Sequence, residues 1–216
     1  MNRNGTGDGL LLRRRSVKSD YSLLALVQYA RVQARRINAA PFDSNKVREQ
    51  LQNIRALSLH CEMDFEKPLS ELLKCCRAIL VYLPALSGAF LNGASFFDNN
   101  INKVVIGITM RGKYVDKFWF SLFHEIGHVL DGHIYQRNGI SAQDEKEADR
   151  FVLEVLIPTE EIVSFYKEHD TSISAIQAFA RRIGVSEGIV IGRMQHDGII
   201  PQSQYNQYKW KYDSAV

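Results

Sequence analysis

The chain has 216 residues, of which 45 % are hydrophobic and 24 % charged, enough apolar material for one large domain with a substantial core and not the composition of a disordered or fibrous chain. No apolar run approaches the ~18 residues of a membrane span, and the polar, arginine-rich N-terminus lacks the apolar region and cleavage site of a signal peptide, so a cytoplasmic protein is expected. Cys61, Cys75 and Cys76 are odd in number and lack C-x-x-C spacing, which reads as reduced, buried thiols and not as a disulfide frame or a zinc knuckle.

The net charge of +3 is unevenly placed. Behind the linker-like stretch Gly5-Thr6-Gly7-Asp8-Gly9 come Arg13, Arg14, Arg15, Lys18, Arg31, Arg35 and Arg36. Residues 1–19 are read as a flexible basic arm, and its charges as a solvated face or linker, so direct nucleic-acid binding is not expected. From Tyr21 to Ile37 apolar residues recur at helical spacing, and Pro41-Phe42-Asp43-Ser44 breaks the chain before a second helix that runs to about Leu59. Leu69–Cys76 is a third, short helix.

The period then changes. Ala78–Leu83 is a continuous apolar run of strand length, Gly88–Phe97 a glycine-rich strand or loop, and Lys103–Met110 another strand, with Asn99-Asn100 as the turn between the last two. A small sheet at this point offers an edge strand on which an extended peptide can lie by main-chain hydrogen bonds.

The sequence that follows is the most informative in the chain. His124-Glu125-Ile126-Gly127-His128 places two imidazoles at i and i+4, on one face of a helix of about 3.6 residues per turn, where both can chelate one ion. Glu125 sits beside that face and outside the ligand set, where a general base for an attacking water belongs. Asp116 is the expected N-cap of this helix. Trp119, Leu122, Phe123, Ile126, Val129 and Leu130 form its apolar stripe, and Gly132 ends it in the left-handed conformation. A metzincin would need Gly at position 131 and His at position 134; Asp131 and Ile134 stand there, and His133 is out of register, so the third ligand must come from elsewhere.

A second helix, about 142–156, supplies it. Ser141 with Asp144 reads as a capping box, and Pro158 lies beyond the far end. Glu145 and Asp149 are again i and i+4. Glu145 completes a zinc site with His124 and His128, Asp149 accepts the free ring N–H of a ligand histidine, and Glu147 points away. The remainder is helical, with Thr159 as the cap of a helix to about Glu168, Ser172 and Ser186 as the starts of two more and Gly184 as a break. Residues 176–186 mimic a helix-turn-helix, but the next helix, with Ile189, Val190, Ile191 and Met194, is too apolar to lie in a groove of DNA. These helices are expected to cover the back of the two metal-bearing ones.

With these residues in place the chain resembles the ImmA/IrrE family of metallo-endopeptidases. The resemblance rests on Phe118-Trp119-Phe120-Ser121-Leu122-Phe123 leading into the His-Glu-Ile-Gly-His motif, on Glu145, Ala148, Asp149 and Phe151 followed by Leu156-Ile157-Pro158, and on the stretch from Gly188 to Gly198. The last is similar to the HigA-like, antitoxin-associated branch. The likeness spans roughly residues 20–212, with Glu187 standing where proline is common. Members of this branch often carry an N-terminal helix-turn-helix domain; ahead of residue 20 there is no room for one, so none is expected.

The expected fold is therefore α+β, a zincin-like core over residues 20–212 with a small sheet packed on the HExxH helix and helices around it. The expected activity is that of a gluzincin-type endopeptidase holding Zn2+ on His124, His128 and Glu145, with Glu125 as general base and Asp149 behind the ligands. For the group that stabilises the oxyanion, Arg111, Tyr114, Tyr166 and Arg193 remain equal candidates. The resemblance implies a helix-turn-helix repressor or antitoxin, on a separate polypeptide, as substrate. The alternative is a non-proteolytic partner that regulates by binding a repressor or toxin.

Overall fold

The computed structural model describes residues 17–38, 40–59, 65–84, 92–109, 114–136 and 139–211. Helix α1 (Val17–Ala34) is followed by α2 (Ser44–Ala56), whose N-cap Asp43 accepts the Asn45 and Lys46 backbone N–H groups, and by α3 (Glu66–Cys75). Strands β1 (Ala78–Leu83), β2 (Gly93–Asp98) and β3 (Lys103–Thr109) form one sheet in the order β1-β3-β2, with β1 parallel and β2 antiparallel to β3. The turn at 99–102 makes β2 and β3 a hairpin, as the Asn-Asn pair predicts.

Alternation along the strands divides the core. Ile79, Val81, Leu83, Phe96 and Val105 face Leu26, Val27, Ala30 and Ala34 of α1. Ala78, Leu80, Val104, Ile106 and Ile108 face the other way, into the main core with Trp119, Leu122, Phe123 and Ile126. Both faces of β1 and β3 are thus covered, which is why those strands read as unbroken apolar runs.

Helix α4 (Val115–Leu130) carries the HExxH motif and lies against the sheet and α5 (Ala142–Leu156). Behind them come α6 (Thr159–Lys167), α7 (Ile173–Ile183) and α8 (Glu187–His196), with α8 packed on α4 and α7. Gly184, at φ 72°, ends α7. Ile189, Val190, Ile191 and Met194 are all fully buried, so α8 is a core helix. No helix among the described residues is long and apolar enough to cross a membrane.

Three local expectations need correction. Tyr114 is the N-cap residue of α4, without a side-chain bond, and Asp116 lies inside the first turn. There it is buried and takes a bond of 2.6 Å from Lys209 Nζ, which also bonds to Gln195 Oε1 at 2.6 Å. A tertiary partner, invisible to a local reading, has claimed the carboxylate. Thr159 opens α6 without capping it, because its N–H and hydroxyl both donate to Glu154 at the end of α5. Cys75 is exposed, since the end of α3 turns it outward, whereas Cys76 is buried and its thiol is pushed up to about 11 by that burial. The arm's Arg13–Arg15, Cys61 and Arg111 lie outside the described residues.

The Asp116–Lys209 pair gives a first prediction. Both side chains are under 10 % exposed, so removing the cation leaves a buried carboxylate unpaired. Lys209→Met should cost about 3 kcal/mol in denaturant unfolding, and Asp116→Leu added to it should restore much of the loss. An unchanged midpoint in the single variant would show that the pair is inert.

Candidate metal centre

The site is built where α4 and α5 cross. Gly127 makes the crossing close, for a Cβ there would meet Phe151 Cδ1 at 3.1 Å and the Ala148 backbone at 3.3 Å. The phase of α5 is set at its first residues by a capping box in which Ser141 Oγ accepts the Asp144 N–H and Asp144 accepts the Ser141 N–H. With start and depth fixed, Glu145 and Asp149 both face His124.

The donors converge. His124 Nε2 and His128 Nε2 are 3.0 Å apart, and Glu145 Oε2 is 3.4 Å from His124 Nε2. In a tetrahedral site with bonds of about 2.0–2.1 Å, ligand atoms stand about 3.3 Å from one another, so this spacing suits one small divalent ion. Asp149 Oδ1 is 2.9 Å from His124 Nδ1, which places the proton on Nδ1 and leaves Nε2 bare for a metal. Burial alone would lower the His124 pKa, but the bond to Glu145 and the charges of Glu125, Asp149 and Glu145 hold it above the ordinary histidine value. Burial, together with His124 alongside, pushes His128 down to about 4, so the latter is a neutral imidazole at pH 7.

Glu125 lies beside this set and outside it. Its carboxylate is buried against β2, where Ser95 Oγ donates to Oε2 at 2.7 Å. Burial pushes its pKa up to about 7, against the opposing pull of the Ser95 bond and of His124. Gly93 on the same strand permits the approach, since a Cβ there would stand 2.7 Å from Glu125 Cγ and 2.9 Å from Oε1. A carboxyl that titrates near neutrality is suited to taking and returning a proton. Ser95 carries no signal in the sequence because it is 30 residues from Glu125, and the pairing of β2 with β3 brings it there.

A second set adjoins the first. His133, read in sequence only as out of register, is buried with its Nδ1 3.0 Å from His128 Nδ1. Its Nε2 faces Asp144 Oδ1 at 3.4 Å and Glu147 Oε2 at 3.5 Å. Glu147 does point away from His124, but toward His133. Gly132, at φ 75°, reverses the chain after α4 and folds His133 back.

The oxyanion candidates are redistributed. Tyr166 Oη and Arg193 Nε both donate to Asp197, at 3.0 and 2.7 Å, and form a group of their own between α6 and α8. Tyr114 bridges to Lys211 through its backbone and offers its ring to the Lys117 and Lys211 cations.

Comparison with protein families matches residues 93–195 to the model described as Peptidase_M78, the IrrE N-terminal-like domain. The matched span runs from β2 into α8 and contains every residue of both His-carboxylate sets. It supports a metallopeptidase-type function and implies a divalent metal, for which His124, His128 and Glu145 are a suitable ligand group. Comparison with curated proteins gives no match.

Proposed function

We propose that the chain is a zinc-dependent endopeptidase that cuts a separate helix-turn-helix repressor or antitoxin in the cytoplasm, as a member of the HigA-like branch of the ImmA/IrrE family. The observation that carries this reading is the position of Glu125, buried next to three convergent metal ligands without joining them. A purely structural metal site has no use for such a carboxylate. His124, His128 and Glu145 would hold the ion, with Asp149 orienting His124. Bound there, zinc supplies Lewis acidity, acidifying water and polarising a carbonyl.

The protein's own part is to handle the proton and hold the peptide. Glu125 takes the proton of the attacking water on its carboxylate and returns it to the leaving amine. Ser95 holds the Glu125 carboxylate through a hydrogen bond to Oε2. Strand β2 has no strand partner on its outer edge among the described residues, and its Gly93–Ser95 segment lies at Glu125, so a substrate strand added to that edge would run past the ligands.

An extended segment is needed, so a folded repressor is cut only in a linker or after local opening. Co-expression with a candidate helix-turn-helix repressor, followed by mass spectrometry, should show a single cut in an exposed segment, lost on chelation. An intact repressor in a stable stoichiometric complex would establish regulation by binding alone.

A further inference from the structure

The contact between His128 and His133 joins two residues of which only one has a role so far. Two imidazole nitrogens 3.0 Å apart form a hydrogen bond only if one carries the proton and the other a lone pair. The direction follows from the metal centre, on which this inference rests. His128 presents Nε2 to the ligand site, 3.0 Å from His124 Nε2, and as a neutral metal ligand it keeps its proton on Nδ1. His128 Nδ1 is therefore the donor and His133 Nδ1 the acceptor. A neutral His133 with a bare Nδ1 carries its own proton on Nε2, the atom that faces Asp144 Oδ1 and Glu147 Oε2.

The geometry points to His133 as a positioning residue: it fixes the tautomer and ring orientation of the ligand His128, and is itself held by Asp144 and Glu147. The two ligand histidines are then supported differently. His124 is held directly by a carboxylate, Asp149 at 2.9 Å, whereas His128 is held by a second imidazole interposed before the carboxylates. The surroundings agree. His133 is only 4 % exposed, so no water competes readily for its ring nitrogens, and Asp144 is anchored by the Ser141 N–H at 2.6 Å.

The same logic disfavours a second ion on His133, Asp144 and Glu147, although those donors are close enough to hold one. A metal on His133 Nε2 would displace its proton to Nδ1, which would then meet the Nδ1–H of His128 head on. One ion per chain is expected, on the His124 side.

The test is the ring tautomers in the 15N-labelled full chain loaded with zinc, read by long-range proton–nitrogen correlation. His128 should be protonated on Nδ1 and His133 on Nε2 alone. Zinc affinity, measured by chelator competition, should fall ~10- to 100-fold in His133→Phe, which keeps the ring shape without an acceptor, and stay within ~3-fold in His133→Asn, whose Oδ1 can stand where Nδ1 stands. With zinc bound to the unaltered chain, a His133 protonated on Nδ1 or on both nitrogens overturns the proposal, as does a second equivalent of zinc removed by His133→Phe. Unchanged affinity in a folded His133→Phe does so too. If that variant does not fold, the tautomers and the Asn variant still decide. An unaltered chain that binds no zinc removes the metal centre itself, a failure distinct from zinc bound with the opposite tautomer.

Discussion

Replacing Glu125 by Gln is expected to lower peptide cleavage by ~10²-fold or more while leaving the metal in place. The amide has the same length and keeps an oxygen that can accept the Ser95 hydroxyl, so β2 and α4 have no reason to separate. What it loses is basicity. Because the site burial that raises the Glu125 pKa to about 7 penalises the ionised carboxylate, a neutral amide relieves that cost, and thermal stability should be maintained or increased. Turnover of a cleaved substrate and metal analysis on the same preparation make the test. Undiminished turnover in a metal-loaded Glu125→Gln protein would overturn Glu125 as the base, and unchanged regulatory activity without cleavage would end the enzymatic reading and favour regulation by binding.

The second large effect is loss of the metal. Alanine at His124, His128 or Glu145 should each leave the purified protein without its ion, whereas Glu147→Ala should leave it bound. Glu145 and Glu147 are two residues apart on α5 and so point to different sides: Glu145 Oε2 lies 3.4 Å from His124 Nε2, and Glu147 Oε2 lies 3.5 Å from His133 Nε2. Asp144 remains beside His133 when Glu147 is removed. The ligand variants should also lose metal-dependent stabilisation, about 4 kcal/mol where free metal is 1,000 times the dissociation constant. Elemental analysis of the four variants and the unaltered protein, with melting curves with and without chelator, reads both effects. An essential Glu147 beside a dispensable Glu145 would sink the ligand assignment.

What could be read from the sequence was whatever local spacing determines. The i, i+4 pairs on α4 and α5 and the Ser141–Asp144 capping box fix side-chain directions within a turn or two of helix, and β1 and β3 are legible as apolar runs, whereas glycine-rich β2 reads equally as strand or loop. The structure brings His124, His128, Glu145 and Asp149 together, with Glu125 alongside. The parallel pairing of β1 with β3, by contrast, follows from no short-range pattern. Asp116 and Thr159 have the chemistry of N-caps, yet each side chain is drawn to a partner outside its own helix, Lys209 and Glu154. His133 shows no functional signal in the sequence because it stands five positions after His128. That interval matches no helical spacing, and only the left-handed Gly132 turns it into a contact.

The bond between Asp116 and Lys209 has a consequence for the order in which this chain folds. The residues around the metal centre, from β2 through α5, are near neighbours in sequence, and contacts of that kind form early. Lys209 reaches back across 93 residues, and the Tyr114–Lys211 bridge closes a loop of similar length. Closing so long a loop costs about 4 kcal/mol of chain entropy, recovered only once α6, α7 and α8 are already in place. The segment that carries Lys209 and Lys211 is therefore expected to behave as a latch on Asp116 at the root of α4, docking late in folding; hydrogen exchange that protects it as strongly as α4 and α5 would refute this.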